Sequence, residues 1–205
     1  FAGRTPIFVS LAAAGDLVRV VVSRVKGNAV FAEIEEVLEP SPDRIAPPCE
    51  YFGSCGGCDL QQMNYAAQLE AKRAIIADCL RRIAKLDPIP EIEMIGCPEP
   101  FGYRLRAQWH ADAGRGMIGY FKRNSRDLID VRSCPVIVPE LQQEMSRLRD
   151  SLHRIDPKQT NIQIDSACGL GGEVSSFSAE LLEPTKEVWL DAAGERFAFS
   201  ARTFF

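Results

Sequence analysis

The chain has 205 residues, 46% of them hydrophobic, and a formal net charge of −4. That is enough apolar material for one large or two small cores, and no apolar run approaches the roughly 18 residues that a membrane-spanning helix needs. The seven cysteines are odd in number and nothing resembles a signal peptide. A secreted disulfide framework is therefore not expected, and a reducing, cytoplasmic setting is.

Residues 1–40 read as a small all-β module. A first strand is expected over 6–9 and a second over 17–26, where Val18, Val20 and Val22 alternate with Arg19, Val21 and Ser23. Gly27-Asn28 supplies a turn, and 29–38 runs back as a third strand. So few strands hide their edges most simply in a short closed barrel of the OB type. Arg19, Arg24 and Lys26 are its candidate basic contacts, with a solvated strand face as the plainer alternative. Pro40-Ser41-Pro42-Asp43 is a linker by composition.

Cys49, Cys55 and Cys58 follow with the spacing C-x5-C-x2-C. The short spacer lets Cys55 and Cys58 reach one ion or cluster, and Gly56 and Gly57 allow the sharp bend. Pro47 and Pro48 keep Cys49 out of a helix. Cys134, in Ser133-Cys134-Pro135, is the best candidate for a fourth ligand. Four thiolates suit either structural zinc or an iron–sulfur cluster. A compact triplet joined by one distant Cys-Pro favours a [4Fe–4S] cluster over zinc.

Residues 65–86 are expected to be a helix, with Asn64 as its N-cap and an apolar stripe of Leu69, Ile76, Leu80 and Ile83. Asp87-Pro88 stops it, and Cys79 and Cys97 read as packed thiols. Over 103–110, Tyr103, Leu105, Ala107 and Trp109 alternate with Arg104, Arg106, Gln108 and His110, the pattern of a half-buried strand. A turn at 114–116 and strands at 117–121 and 128–131 complete an antiparallel meander. Between residues 103 and 132 the basic side chains outnumber the acidic ones by four, although the chain as a whole is acidic. Arg104 and Arg106, with Lys122, Arg123 and Arg126 of the intervening loop, are candidate phosphate contacts. His110 is given no chemistry. A second helix over 139–152 carries Leu141, Met145, Leu148 and Leu152, and strands follow at 161–167, 174–179, 188–190 and 197–200. Asp165 to Gly172 mimics a glycine-rich cofactor loop in which Asp165, Gly169 and Gly171 would line a cofactor, but it reads as a hairpin turn.

The run Cys49-Glu50-Tyr51-Phe52-Gly53-Ser54-Cys55-Gly56-Gly57-Cys58-Asp59-Leu60-Gln61-Gln62-Met63-Asn64-Tyr65, with Gln68-Leu69 and Lys72, resembles the cluster signature of the RNA (uracil-5-)-methyltransferases that modify 23S ribosomal RNA. The likeness continues through Pro100 to Arg106 and through Ile129 to Pro135. This sequence departs from it at Leu105, where the family more often has Asn, and at Gln62, where His is common.

The resemblance implies a mainly β chain with α elements (α+β). An OB-like TRAM barrel would occupy 1–40 and a central α+β domain with the cluster loop 41–200. Residues 201–205 would open a truncated methyltransferase domain. It implies a [4Fe–4S] cluster on Cys49, Cys55, Cys58 and Cys134, and RNA, most simply ribosomal, as the partner of a cytoplasmic monomer. S-adenosylmethionine would be bound only by the missing C-terminal domain. Uracil C5 methylation needs a thiolate that adds at C6 and a base that later removes the C5 proton. None of the seven cysteines matches that nucleophile, so no catalytic residue is assigned and the chain alone is expected to be inactive. The alternative is a stand-alone RNA-binding or redox-sensing cluster module, or a zinc module, without methyl transfer.

Overall fold

The structure is a computed structural model that describes residues 5–180 and 185–203, and it is mainly sheet with two longer helices. It falls into two units, Phe1–Gly53 with Cys58–Cys97, and Ser54–Gly57 with Pro98–Phe205.

In the first unit the valine alternation and the Gly27 turn produce the expected hairpin, β2 (Leu17–Lys26) and β3 (Ala29–Glu39), with β1 (Ile7–Val9) parallel to β3 on its other side. Gly27 takes φ +57, which glycine adopts without a Cβ clash. The closed barrel expected for residues 1–40 is not found among the described residues, where the strands form an open sheet in the order β1-β3-β2. β1 is only three residues long, and three register shifts interrupt the β2–β3 ladder. Val18 and Val20 are half-buried while Val22 is exposed, and beyond Val22 a further shift breaks the side-chain alternation.

Asp16 ties the start of this hairpin to the chain beyond the linker. Its carboxylate accepts from Arg44 Nη2 at 2.6 Å and Nε at 3.0 Å, and from the backbone N–H of Ser41 at 2.9 Å and Ala13 at 2.7 Å. The Asp16 side chain is 1% exposed. The bonds from Arg44 outweigh the opposing effect of burial and hold the carboxyl at about 2 instead of 3.8. A depressed carboxyl stabilises the fold above its unfolded pKa, and the benefit is lost as pH falls from about 4 through 2. The shift corresponds to about 2 kcal/mol. Wild type should therefore lose denaturant resistance over that window, whereas Asp16→Asn should begin lower and fall less steeply. Parallel curves for the two proteins would refute the linkage.

Asn64 caps α1 (Tyr65–Arg82), its Oδ1 accepting from Ala67 N at 2.9 Å and its Nδ2 donating to Asp43 at 2.7 Å. The helix ends four residues before the expected position, and Lys85 just beyond it has φ +57. No residue of α1 is buried. Its expected apolar stripe lies largely open, with Ile83 76% exposed. Cys79 and Cys97 are exposed as well, so the packed-thiol expectation fails for both. The Cys97 backbone N–H donates to Tyr65 Oη at 2.7 Å, and Gly96 approaches Leu69, so the covering segment reaches only the first turns.

The second unit holds a five-stranded sheet in the order β6-β5-β4-β7-β8. Its strands are β4 (Arg106–Asp112), β5 (Met117–Phe121), β6 (Leu128–Asp130), β7 (Ile162–Cys168) and β8 (Val174–Phe177), all antiparallel to their neighbours. The meander is as expected. β4 begins three residues later than its alternation suggested, because residues 102–104 pair elsewhere. Gly102 N donates to Pro135 O at 2.9 Å and Arg104 N to Val136 O at 3.0 Å. Tyr103 is accordingly exposed. Asp165 to Gly172 forms the β7–β8 hairpin, not a cofactor loop.

One face of the sheet carries Ala107, Trp109, Ala111, Ile118, Ile162 and Ile164, all buried. It meets α2 (Pro139–Ser151), whose Leu141, Met145 and Leu148 are buried at the expected spacing, with Leu152 just beyond. Gly119 in β5 is required by close approach, since a Cβ there would collide with the Ile129 carbonyl oxygen. β9 (Val188–Ala192) and β10 (Glu195–Phe199) form a separate antiparallel pair.

Candidate nucleic-acid interface and cysteine loop

Two of the expected ligands, Cys55 and Cys134, belong to the second unit. Gly56 N donates to Phe121 O at 3.0 Å, Arg123 N donates to Ser54 O at 2.8 Å, and Cys55 bridges to Lys122. These contacts sew the Cys55 turn to the end of β5. Cys134 is held by its backbone N–H donating to Gln142 Oε1 at 2.9 Å, while Gln142 Nε2 donates to Arg132 O at 2.9 Å. In β5, the Oη of Tyr120 accepts from Trp109 Nε1 at 3.1 Å. Burial pushes the Tyr120 phenol above its ordinary range, against the opposing effect of the Trp109 hydrogen bond.

In the first unit Cys49 and Cys58 are half-buried, and the Cys49 carbonyl accepts from Phe52 N at 3.1 Å to close a turn. Among the described residues, no three or more His, Cys, Asp or Glu side chains are grouped so as to hold a metal ion.

The candidate RNA contacts fall into two sets. In the first unit, Arg19 pairs with Glu36, the Arg24 guanidinium sits 4.5 Å from the centre of the Phe31 ring, and Lys26 is exposed at the end of β2. In the second, the antiparallel register brings the start of β4 to the end of β5. Arg104 and Arg106 therefore share one end of the sheet with the 122–126 loop. Arg104, Lys122 and Arg126 are exposed and Arg106 and Arg123 half-buried. Arg106 Nη2 donates to Thr203 O at 3.2 Å, and Lys122 lies 3.7 Å from Asp127.

The sheet face away from α2 holds residues that sequence reasoning left without a role. Gln108 lies opposite Asp165, His110 opposite Gln163, and both pairs share the face with Arg106. Asp165 is 9% exposed, accepting from Gln108 Nε2 at 2.8 Å and Gln163 Nε2 at 3.0 Å. The His110 ring stacks on Phe121, centroids 3.8 Å apart and planes 21° apart. Burial lowers the His110 pKa against the opposing pull of Asp165, favouring the neutral ring. Arg202 lies 5.0 Å from the centre of the Phe177 ring, on the strand beyond. The Gln163-x-Asp165 spacing was the available signal.

This α+β fold is shared with a solved structure. The tRNA (uracil-54, C5)-methyltransferase of Pyrococcus abyssi, in complex with S-adenosyl-L-homocysteine, matches with a TM-score of 0.61 and 24% identity. The match covers 90% of this chain and 46% of that one.

Relatives by sequence are named RNA methyltransferases. The 23S rRNA (uracil(1939)-C(5))-methyltransferase RlmD of Pseudomonas putida is 36% identical over 94% of this chain. The enzyme of the same name from Methylococcus capsulatus is 30% identical over 88% of it. An uncharacterized RNA methyltransferase of Thermosynechococcus vestitus is 33% identical over 71%. The chain spans 46%, 41% and 33% of the lengths of these three relatives. No family model matches the chain. Among the described residues no helix is long and apolar enough to cross a membrane.

Proposed function

We propose that this chain is the RNA-recognition and [4Fe–4S]-bearing part of an S-adenosylmethionine-dependent RNA uracil-C5 methyltransferase, acting on ribosomal RNA. The observation that carries the reading is the likeness to enzymes of that name along nearly the whole chain. It is supported by the cations of residues 104–106 and 122–126 meeting at one end of the sheet. Such clusters position a phosphate backbone, and the 1–40 module, with Arg19, Arg24 and Lys26, would add a TRAM-like second contact. Cys49, Cys55, Cys58 and Cys134 are the proposed cluster ligands. Cys55 and Cys134 both lie in the second unit, each held through backbone hydrogen bonds of its own loop. When bound, the cluster would supply a rigid inorganic staple for the loops that carry it.

Two measurements test the proposal. Anaerobically purified protein should contain iron and sulfide and absorb in the visible, and Cys134→Ser should lose that absorbance. Zinc in place of iron, or an unchanged spectrum, would overturn the cluster assignment. Arg104→Ala with Arg123→Ala should weaken binding of single-stranded ribosomal RNA fragments and lower the salt slope by about 1 for each phosphate no longer neutralised. Unaltered affinity and slope would remove this end of the sheet from the RNA surface.

A further inference from the structure

We propose that Gln108 and Gln163, on the sheet face away from α2, read the edge of an adenine base in single-stranded RNA, with the His110–Phe121 stack as the aromatic wall beside it. The inference rests on the RNA reading above and names which part of the RNA this face takes.

A glutamine amide at a surface ordinarily rotates and offers no fixed pattern. Here each Nε2 donates to one oxygen of Asp165, a carboxylate that can only accept when ionised. That contact sets the orientation of both amides. Gln108 and Gln163 are themselves exposed, so the Oε1 acceptor and second N–H of each amide can be offered to a ligand. An acceptor beside a donor is the complement of the adenine N6–H and N7 edge, the standard partner of a glutamine amide. Single-stranded RNA offers such edges unpaired, and its bases stack on aromatic side chains. A purine covers more of the half-buried His110 and Phe121 rings than a pyrimidine does.

Electrostatics separates base from phosphate at this patch. The Asp165 charge behind the amides repels an anion, and the neutral form favoured at His110 supplies no cation to attract one. Arg106 and Arg202, on the same face, are the groups that suit phosphate. The face therefore offers a base site beside a pair of cations, with Arg106 bonded to the Thr203 carbonyl next to Arg202. Asp165 acts as a positioning residue, because it fixes the two amides without itself facing the ligand.

The test is fluorescence anisotropy of the full chain with short single-stranded oligo(A), oligo(C) and oligo(U). Wild type should prefer oligo(A) by about tenfold. Gln108→Ala and Gln163→Ala should each reduce that preference while leaving oligo(C) affinity and the thermal midpoint unchanged. Asp165→Asn, which can accept from one glutamine but not fix both, should also blunt the preference. Binding to all three RNAs without preference for oligo(A), or a preference untouched by the glutamine changes, would overturn the base site and leave the RNA reading standing. Failure to bind any of the three would overturn the RNA reading and this inference with it.

Discussion

Arg149→Ala should destabilise the second unit by about 3–5 kcal/mol, measured as a lower midpoint in denaturant unfolding with unchanged slope. Arg149 is the joint between α2 and the meander. Its Nη1 pairs with Asp130, and its Nη2 donates to Val131 O at 2.7 Å and Ile118 O at 3.1 Å. The side chain is only 11% exposed. Burial would raise the Asp130 carboxyl, yet the Arg149 contact and the Ile118 N–H keep it below its ordinary value. Removing the guanidinium takes a donor from Val131 O and Ile118 O and leaves the Asp130 carboxylate to Arg132 at 2.9 Å and the Ile118 N–H at 3.1 Å, in a partly dry site, which is why the cost exceeds that of an exposed pair. Asp130→Asn in the Arg149→Ala background should recover part of the loss, because a half-buried charge left with fewer partners is gone. Arg149→Lys should rescue poorly, since one ammonium cannot serve the carboxylate and both carbonyls with the same fork. A loss under about 1 kcal/mol for Arg149→Ala would mean that the pair behaves as an exposed one.

Trp109→Ala should cost a comparable amount, about 3–5 kcal/mol. Trp109 is 0% exposed in the central strand, and its indole N–H donates to Tyr120. The deletion removes a large apolar volume from between the sheet and α2 and takes away the donor that Tyr120 Oη accepts. Trp109→Phe separates the two effects and should cost about 1–2 kcal/mol, mostly the missing hydrogen bond and a smaller void. Because Gln108 and His110 flank Trp109 on β4, slackening the strand should also weaken oligo(A) preference in Trp109→Ala. Equal losses for the Phe and Ala variants would show that packing volume is not what Trp109 contributes.

Much of the secondary structure was legible in the residues. The alternation around Trp109, the Gly27-Asn28 turn, the Asn64 cap and the spacing of Leu141, Met145 and Leu148 each state a local preference that nothing else in the chain contradicts. Where local signals misled, a distant segment had intervened. Tyr103 and Arg104 continue the strand pattern, but the carbonyls of Pro135 and Val136 claim their end of the chain. The stripe on α1 satisfies helical spacing, yet no residue of that helix is buried, so Cys79 is exposed instead of packed.

The residues alone determined the cysteine spacing, the alternation of the meander strands and the local excess of cations, because each depends only on near neighbours in the chain. Tertiary structure decided what these features meet. Among the described residues it shows a three-stranded sheet in the order β1-β3-β2 with register shifts in the β2–β3 ladder, which cannot be read from one strand. It also set Gln163 and Asp165 beside Gln108 and His110, because antiparallel pairing joins residues more than fifty positions apart that no local pattern links.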